Sequence, residues 1–250
     1  MTLRLEREGP IGRLLIDRPD KRNAFNQAMW TLFPVLLAEA MADAELRVLI
    51  LQSAAPGIFC AGADIAELLA NKDDPHWRAA NQAAINKAQY DLARAEKPVI
   101  AFIDGDCIGG GCGLALACDM RLATPRSRFG ITPGNLGLVY PLHDTKLLVD
   151  LVGPGQAKRM LFTAQLLNAD EAHRIGLIEE FCESADPLAH LIAGKSAHSM
   201  VHMKRFVRLI LDGQTDDDSA TLSIFADAFN RPDFLEGTQA FVEKRKPNFQ

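Results

Sequence analysis

The 250-residue chain is 48% hydrophobic and 24% charged with a formal net charge of −5, a composition that supports a full globular core. No basic run is long enough to suggest a nucleic-acid partner, and no apolar run reaches the length of a membrane span. Five cysteines (60, 107, 112, 118 and 182), odd in number and mostly inside apolar runs, argue against a disulfide framework and match no zinc spacing, so a cytoplasmic protein without a metal is expected.

Residues 2–7 and 11–17 alternate around "EGP" and predict a hairpin at the start of a sheet. "RPDKRNAFN" reads as a polar turn, with Asn26 capping a helix to about Ala42. The apolar run 48–53 predicts a buried strand; "AAPGIFCAGADIAELL" follows as a loop, a glycine turn and a helix from about Asp64. A long helix over 76–95 ends before Lys97-Pro98. The strand 99–104 leads into "CIGGGCGLALACD", a triple-glycine loop opening a helix. A short strand at 120–125, helices at 144–152, 155–163 and 169–175, and a last strand at 177–182 complete an α/β body over residues 1–187. Residues 188–250 read as a helical region, with segments near 187–211, 217–229 and 233–244.

The unit of strand, glycine-containing loop and helix occurs twice, at 48–70 and 98–118. Each copy places small residues at a helix entry, "CAGAD" and "IGGGC". First-turn N–H groups lack internal partners and sit in the positive end of the helix dipole. Two such entries facing one cavity form an oxyanion hole, each donor worth ~3–4 kcal/mol of transition-state stabilisation. Tight helix–strand packing is the competing reading of the same glycines. There is neither a dinucleotide-binding G-x-G-x-x-G nor a Walker A loop.

"FCAGADI", "CIGGGCGLALACDMRLATPRSRFG", "GLVYPLHDTKLLVDLVGPGQAKRMLFTAQLLNADEAHRIGLIEE" and "FVEKRKPNF" together resemble the crotonase superfamily of enoyl-CoA hydratases and isomerases. The resemblance implies a spiral of ββα turns with a C-terminal helical trimerisation region, assembled as a homotrimer or a hexamer made of two trimers. It implies an acyl-CoA substrate, no cofactor beyond the coenzyme A that the substrate carries, and an enolate oxyanion held by main-chain N–H groups. By position those donors would be Ala61 and Gly110. Ala24, Ala63, Asp64 and Ile65 match segments lining the CoA pocket; Phe241 and Lys244 match a stretch that meets the CoA of a neighbouring subunit in relatives.

Hydratases of this superfamily use two glutamates. Here their positions hold Gly113 and Pro133, so neither can move a proton. Decarboxylation of a malonyl-type CoA asks only for the hole and a later proton donor. The segment "ITPGNLGLVYPL" is similar to methylmalonyl-CoA decarboxylases, with Tyr140 as the side-chain partner. Hydration or isomerisation through His143 or Asp144 is the alternative, although Asp144 also reads as a cap of the helix that follows. A non-catalytic acyl-CoA binder is the third reading. Cys112 and Tyr90 read as packing and Asp119 as a structural hydrogen-bonding residue. His198 and His202 form an i, i+4 pair without a visible third metal ligand.

Overall fold

Apolar runs buried on both faces set the main sheet. The computed structural model describes residues 2–249. In chain order its elements are β1 (Leu3–Glu8), β2 (Ile11–Ile16), α1 (Gln27–Ala42), β3 (Val48–Ser53), β4 (Ile58–Cys60), α2 (Ile65–Ala70), α3 (Pro75–Ala93), β5 (Val99–Ile103), β6 (Asp106–Ile108), α4 (Gly110–Ala117), β7 (Met120–Ala123), β8 (Arg128–Gly130), α5 (Leu142–Thr163), β9 (Leu167–Asn168), α6 (Ala169–Arg174), β10 (Glu180–Phe181), α7 (Asp186–Ala193), α8 (Ala197–Leu211), α9 (Ser219–Ala228) and α10 (Pro232–Glu243).

The larger sheet runs β1-β2-β3-β5-β7-β10 and is parallel except for the expected β1–β2 hairpin. Side chains alternate across it. Val48 and Ile50 face α7 with Ile11, Ile100, Leu122 and Ala189, while Leu49 and Leu51 enter the main core with Trp30, Phe33 and Phe59. The expected division at 187/188 falls inside α7, which packs on this sheet through Ala189.

A second sheet, β4-β6-β8-β9, was not predicted. Its first three strands are parallel and three residues long, each following a strand of the larger sheet. The chain thus climbs as repeated turns of long strand, short strand and helix, the ββα spiral. The helices expected at 144–152 and 155–163 are the two halves of α5, bent at Gly153 (φ 73°) before Pro154.

Gly111 fixes how closely α4 lies on β4. A Cβ built there would strike the Cys60 carbonyl oxygen and stand 2.7 Å from Cys60 Cβ and 3.0 Å from Cys60 C. These are buried backbone and near-backbone atoms, not a flexible tip. Gly111→Ala is therefore expected to destabilise the fold by about 1–3 kcal/mol, the usual scale of overpacking. A chemical-denaturation midpoint equal to that of the parent would contradict this.

Candidate active site

The loop 18–25 is locked before it meets the glycine turns. Arg22 (φ 53°) and Asn23 (φ 57°) both adopt the left-handed region, which costs a non-glycine residue about 1–3 kcal/mol. Buried Asn23 holds them there: its Oδ1 accepts from Arg18 N at 2.8 Å, and its Nδ2 donates to Ser53 Oγ (2.8 Å), Ile58 O (3.0 Å) and Phe59 O (3.1 Å). The loop then pairs with "CAGAD". Phe25 N donates to Gly62 O at 2.7 Å, Asp64 N to Phe25 O at 2.8 Å, and Ala61 N to Arg22 O at 3.0 Å.

That last bond corrects the expected donor pair. The Ala61 N–H faces loop 18–25 and is already used. Gly62 (φ 95°) turns the chain, and the Ala63 N–H, beside the start of α4, has no acceptor. Gly109 N donates to Gly130 O at 2.8 Å, whereas Gly110 N, the first amide of α4, has no acceptor. Among the described residues, Ala63 N and Gly110 N face each other across these two loops without an acceptor; Gly111 N and Cys112 N, deeper in the first turn of α4, also lack one. A Cβ on Gly110 would lie 3.6 Å from Ala63 N, and one on Gly62 3.1 Å from Gly110 N. The loops touch because Gly62 lacks a side chain, whereas a Cβ on Gly110 would fill the space beside Ala63 N at ordinary contact distance.

One turn further along α4, Gly113 sits where α3, α4 and α5 meet. A Cβ at Gly113 would collide with Gln89 Nε2 of α3 and stand 3.0 Å from Asp144 Oδ2 and 3.1 Å from the Tyr140 hydroxyl. Tyr140 is buried, and its hydroxyl donates to Gly109 O at 3.3 Å. Burial, with Cys112 and Asp144 near, pushes that phenol well above its ordinary range. The hydroxyl thus binds the carbonyl of the same peptide whose N–H is the Gly110 donor. A donor on that carbonyl orients the peptide and strengthens its N–H.

Asp144 does not cap α5: Pro141 takes the N-cap position, with no side-chain cap bond. Its carboxyl is 1% exposed and accepts from His143 Nδ1 at 3.3 Å. Burial raises its pKa to about 7, tempered by the neighbouring Gln89 amide. His143 Nε2 faces Arg94 Nη1 at 3.5 Å, so it acts as acceptor and the ring proton lies on Nδ1, toward Asp144. Burial first, then Arg94 and Arg208, lowers the His143 pKa and keeps the ring neutral near pH 7. Arg94 in turn stacks on Tyr90 and donates to Asp212 at 3.3 Å. Tyr90 is half exposed and serves this stack rather than the core.

The other sequence candidates occupy several places. Asp64 caps α2 through Ala66 N and Glu67 N and pairs with Arg18 at 2.9 Å. Burial would raise its pKa, but the Arg18 bond and the helix amides outweigh this and lower it. Ala24 lies on the locked loop and its carbonyl accepts from Arg18 Nη1 at 2.8 Å; Ile65 is exposed at the start of α2. Phe241 and Lys244 stand at the far end of α10, Phe241 85% exposed, with no hydrogen bond or ion pair to the hole loops among the described residues. Asp119 is structural: its Oδ2 accepts from Val99 N and from Lys204 Nζ, each at 2.7 Å. Cys112 is buried in α4. His198 and His202 stack on each other, and the described residues hold no metal-binding cluster. A cavity of about 440 Å³ among α4, α5 and α8, lined by Leu116, Leu147, Met203 and Val207, opens at the opposite end of α4 from Gly110. No described helix is long and apolar enough to cross a membrane.

The sequence profile of the enoyl-CoA hydratase/isomerase family matches residues 6–250. The chain belongs to that family. It is 35% identical to the crotonyl-CoA hydratase of Syntrophomonas wolfei over 98% of this chain and 96% of the relative. It is likewise 35% identical to the short-chain-enoyl-CoA hydratase of Clostridium acetobutylicum, over 97% and 95%. A solved enoyl-CoA hydratase/isomerase family protein from Hyphomonas neptunium superposes with a TM-score of 0.96 at 38% identity, covering 100% of this chain and 98% of that one. Gly113 and Pro133 hold the positions where the resemblance leads one to expect glutamates. The first position carries no side chain, and the second opens a 3₁₀ turn over Pro133–Leu136.

Proposed function

We propose that the protein acts on an acyl-CoA thioester whose carbonyl oxygen is bound by the N–H groups of Ala63 and Gly110, so that negative charge developing on that oxygen as an enolate is stabilised. The single observation that carries this is the pair of uncommitted amides on two touching loops. Such donors cost no reorganisation when charge appears on the oxygen. Tyr140 serves the hole from behind, through the Gly109 carbonyl.

Hydration or isomerisation of an enoyl-CoA is the reaction class we favour. The relatives named above are hydratases, which gives the decarboxylase expectation no support, and a buried carboxyl stands beside Gly113. Ala24, Asp64 and Ile65 border the loops where the CoA portion would lie. The exposed Phe225, Phe229 and Phe241 of α9 and α10 suit assembly into trimers, which would carry Phe241 and Lys244 to a neighbour's CoA. The direct test follows loss of enoyl absorbance with crotonyl-CoA, alongside CO2 release from methylmalonyl-CoA. Turnover of the first well above buffer is expected. CO2 release without hydration would restore decarboxylation, and tight binding with neither would make the protein a thioester binder.

A further inference from the structure

Resting on that reading, we infer that Asp144 is the proton-transfer residue of this site, exchanging a proton with the α-carbon of the bound acyl group from the recess where α3, α4 and α5 meet. Three observations converge there. Asp144 Oδ2 and the Tyr140 hydroxyl both lie about 3 Å from the point where a side chain at Gly113 would begin. Asp144 has no structural duty as a cap. Gln89, 1% exposed, directs Nε2 into the same space beside Asp144, and its buried Oε1 has no hydrogen-bond partner. A buried polar group left unpaired is costly, and it persists where a ligand supplies the partner.

The recess is also at the right distance from the hole. Gly113 N donates to Gly109 O at 3.1 Å, so Gly113 is one helical turn, ~5 Å, along α4 from the donor peptide. The α-carbon of a thioester is two bonds from the oxygen held at Gly110 and falls between the two. With no side chain at 113, α4 itself puts nothing between the donor peptide and Asp144; the Gln89 amide of α3 fills that space and must swing aside for the acyl group. As carboxylate, Asp144 takes the α-proton: the C–H bond breaks, an O–H bond forms, and the electron pair becomes the enolate, whose oxygen rests on Ala63 and Gly110. In reverse, the carboxylic acid delivers the proton to the α-carbon. No co-reactant is needed.

The groups facing Asp144 are Tyr140 before α5, the Gln89 amide of α3 and His143 on α5 itself, with Cys112 of α4 beside Tyr140 and Arg94 of α3 and Arg208 of α8 acting through His143. Burial places the Asp144 pKa at about 7, so activity that needs its carboxylate rises as pH climbs through about 7.

The experiment incubates the protein with butyryl-CoA in D2O and measures deuterium at C2. In parallel it records the absorption of bound 4-(dimethylamino)cinnamoyl-CoA, which shifts to the red when the thioester carbonyl is polarised. Exchange rising through about pH 7 is expected in the parent. Asp144→Asn should lose about 100-fold or more of it and keep both the red shift and the thioester affinity, with part of the exchange regained in Asp144→Glu. Exchange in Asp144→Asn at the parent's rate, or a red shift without exchange in the parent, overturns the role of Asp144. Absence of the red shift in the parent overturns the hole itself.

Discussion

Gly110→Ala is expected to lower the rate of α-deuterium exchange into butyryl-CoA by about 100- to 1,000-fold while leaving the melting temperature within a few degrees, the loss typical of removing one oxyanion donor. The new methyl would sit 3.6 Å from Ala63 N, in the space where the thioester oxygen must lie. It would also stand 3.2 Å from Trp30 Cζ2. Trp30 is fully buried among Phe25, Phe33 and the main core, so its ring yields only tenths of an ångström. The methyl therefore stays in the hole. Stability suffers little because alanine at a helix start is favoured over glycine by up to about 1 kcal/mol, offsetting the contact with Trp30. The pairing of lost exchange with a retained fold is the diagnostic result. Full exchange in Gly110→Ala would mean that the substrate oxygen is held somewhere other than between these two amides.

The sequence makes one half of that hole legible and hides the other, for a physical reason. Glycines at a helix start announce a backbone that something must approach, and Gly110 is the first amide of α4. "CAGAD" announces the same at 60–64 without saying which amide is free. That depends on Gly62 adopting φ 95° and on Arg22, in a loop far earlier in the sequence, capturing the Ala61 N–H. Only tertiary pairing decides it. The same logic divides the sheets. β3 and β5 are apolar runs buried on both faces and are visible as such. β4, β6 and β8 are three residues each, lie among glycines, and become strands only by pairing with one another. Asp144 read as a cap because an aspartate precedes an apolar helix, but Pro141 begins the helix earlier and leaves the carboxyl to point inward. Gln89 carries a signal of its own in the sequence. It is a polar residue on the buried face of α3, three residues before Leu92 and next to Ala88.

The buried carboxyl has a consequence for stability that can be measured without any substrate. Asp144 has a pKa of about 7 in the folded protein, against 3.8 for a free aspartate. Below pH 4 the group is neutral in both states and burial costs little. Between pH 4 and 7 the unfolded chain gives up this proton and the folded chain does not, so folding stability falls as pH rises. Above pH 7 the loss is complete, at about 1.4 kcal/mol per pKa unit, hence on the order of 4 kcal/mol. Asp144→Asn removes the titration while keeping the shape. It is expected to melt with the parent near pH 4 and several degrees above it at pH 8, each kcal/mol being worth roughly 2–4 °C in a domain of this size. His143 can still donate from Nδ1 to the new amide oxygen, so no partner is orphaned by the change. A structural carboxylate, held for an ion pair, would give the opposite result, with Asp144→Asn the less stable protein at pH 8. A site that keeps a buried acid without a charged partner, at a cost in stability, is the arrangement expected where the proton itself is put to use.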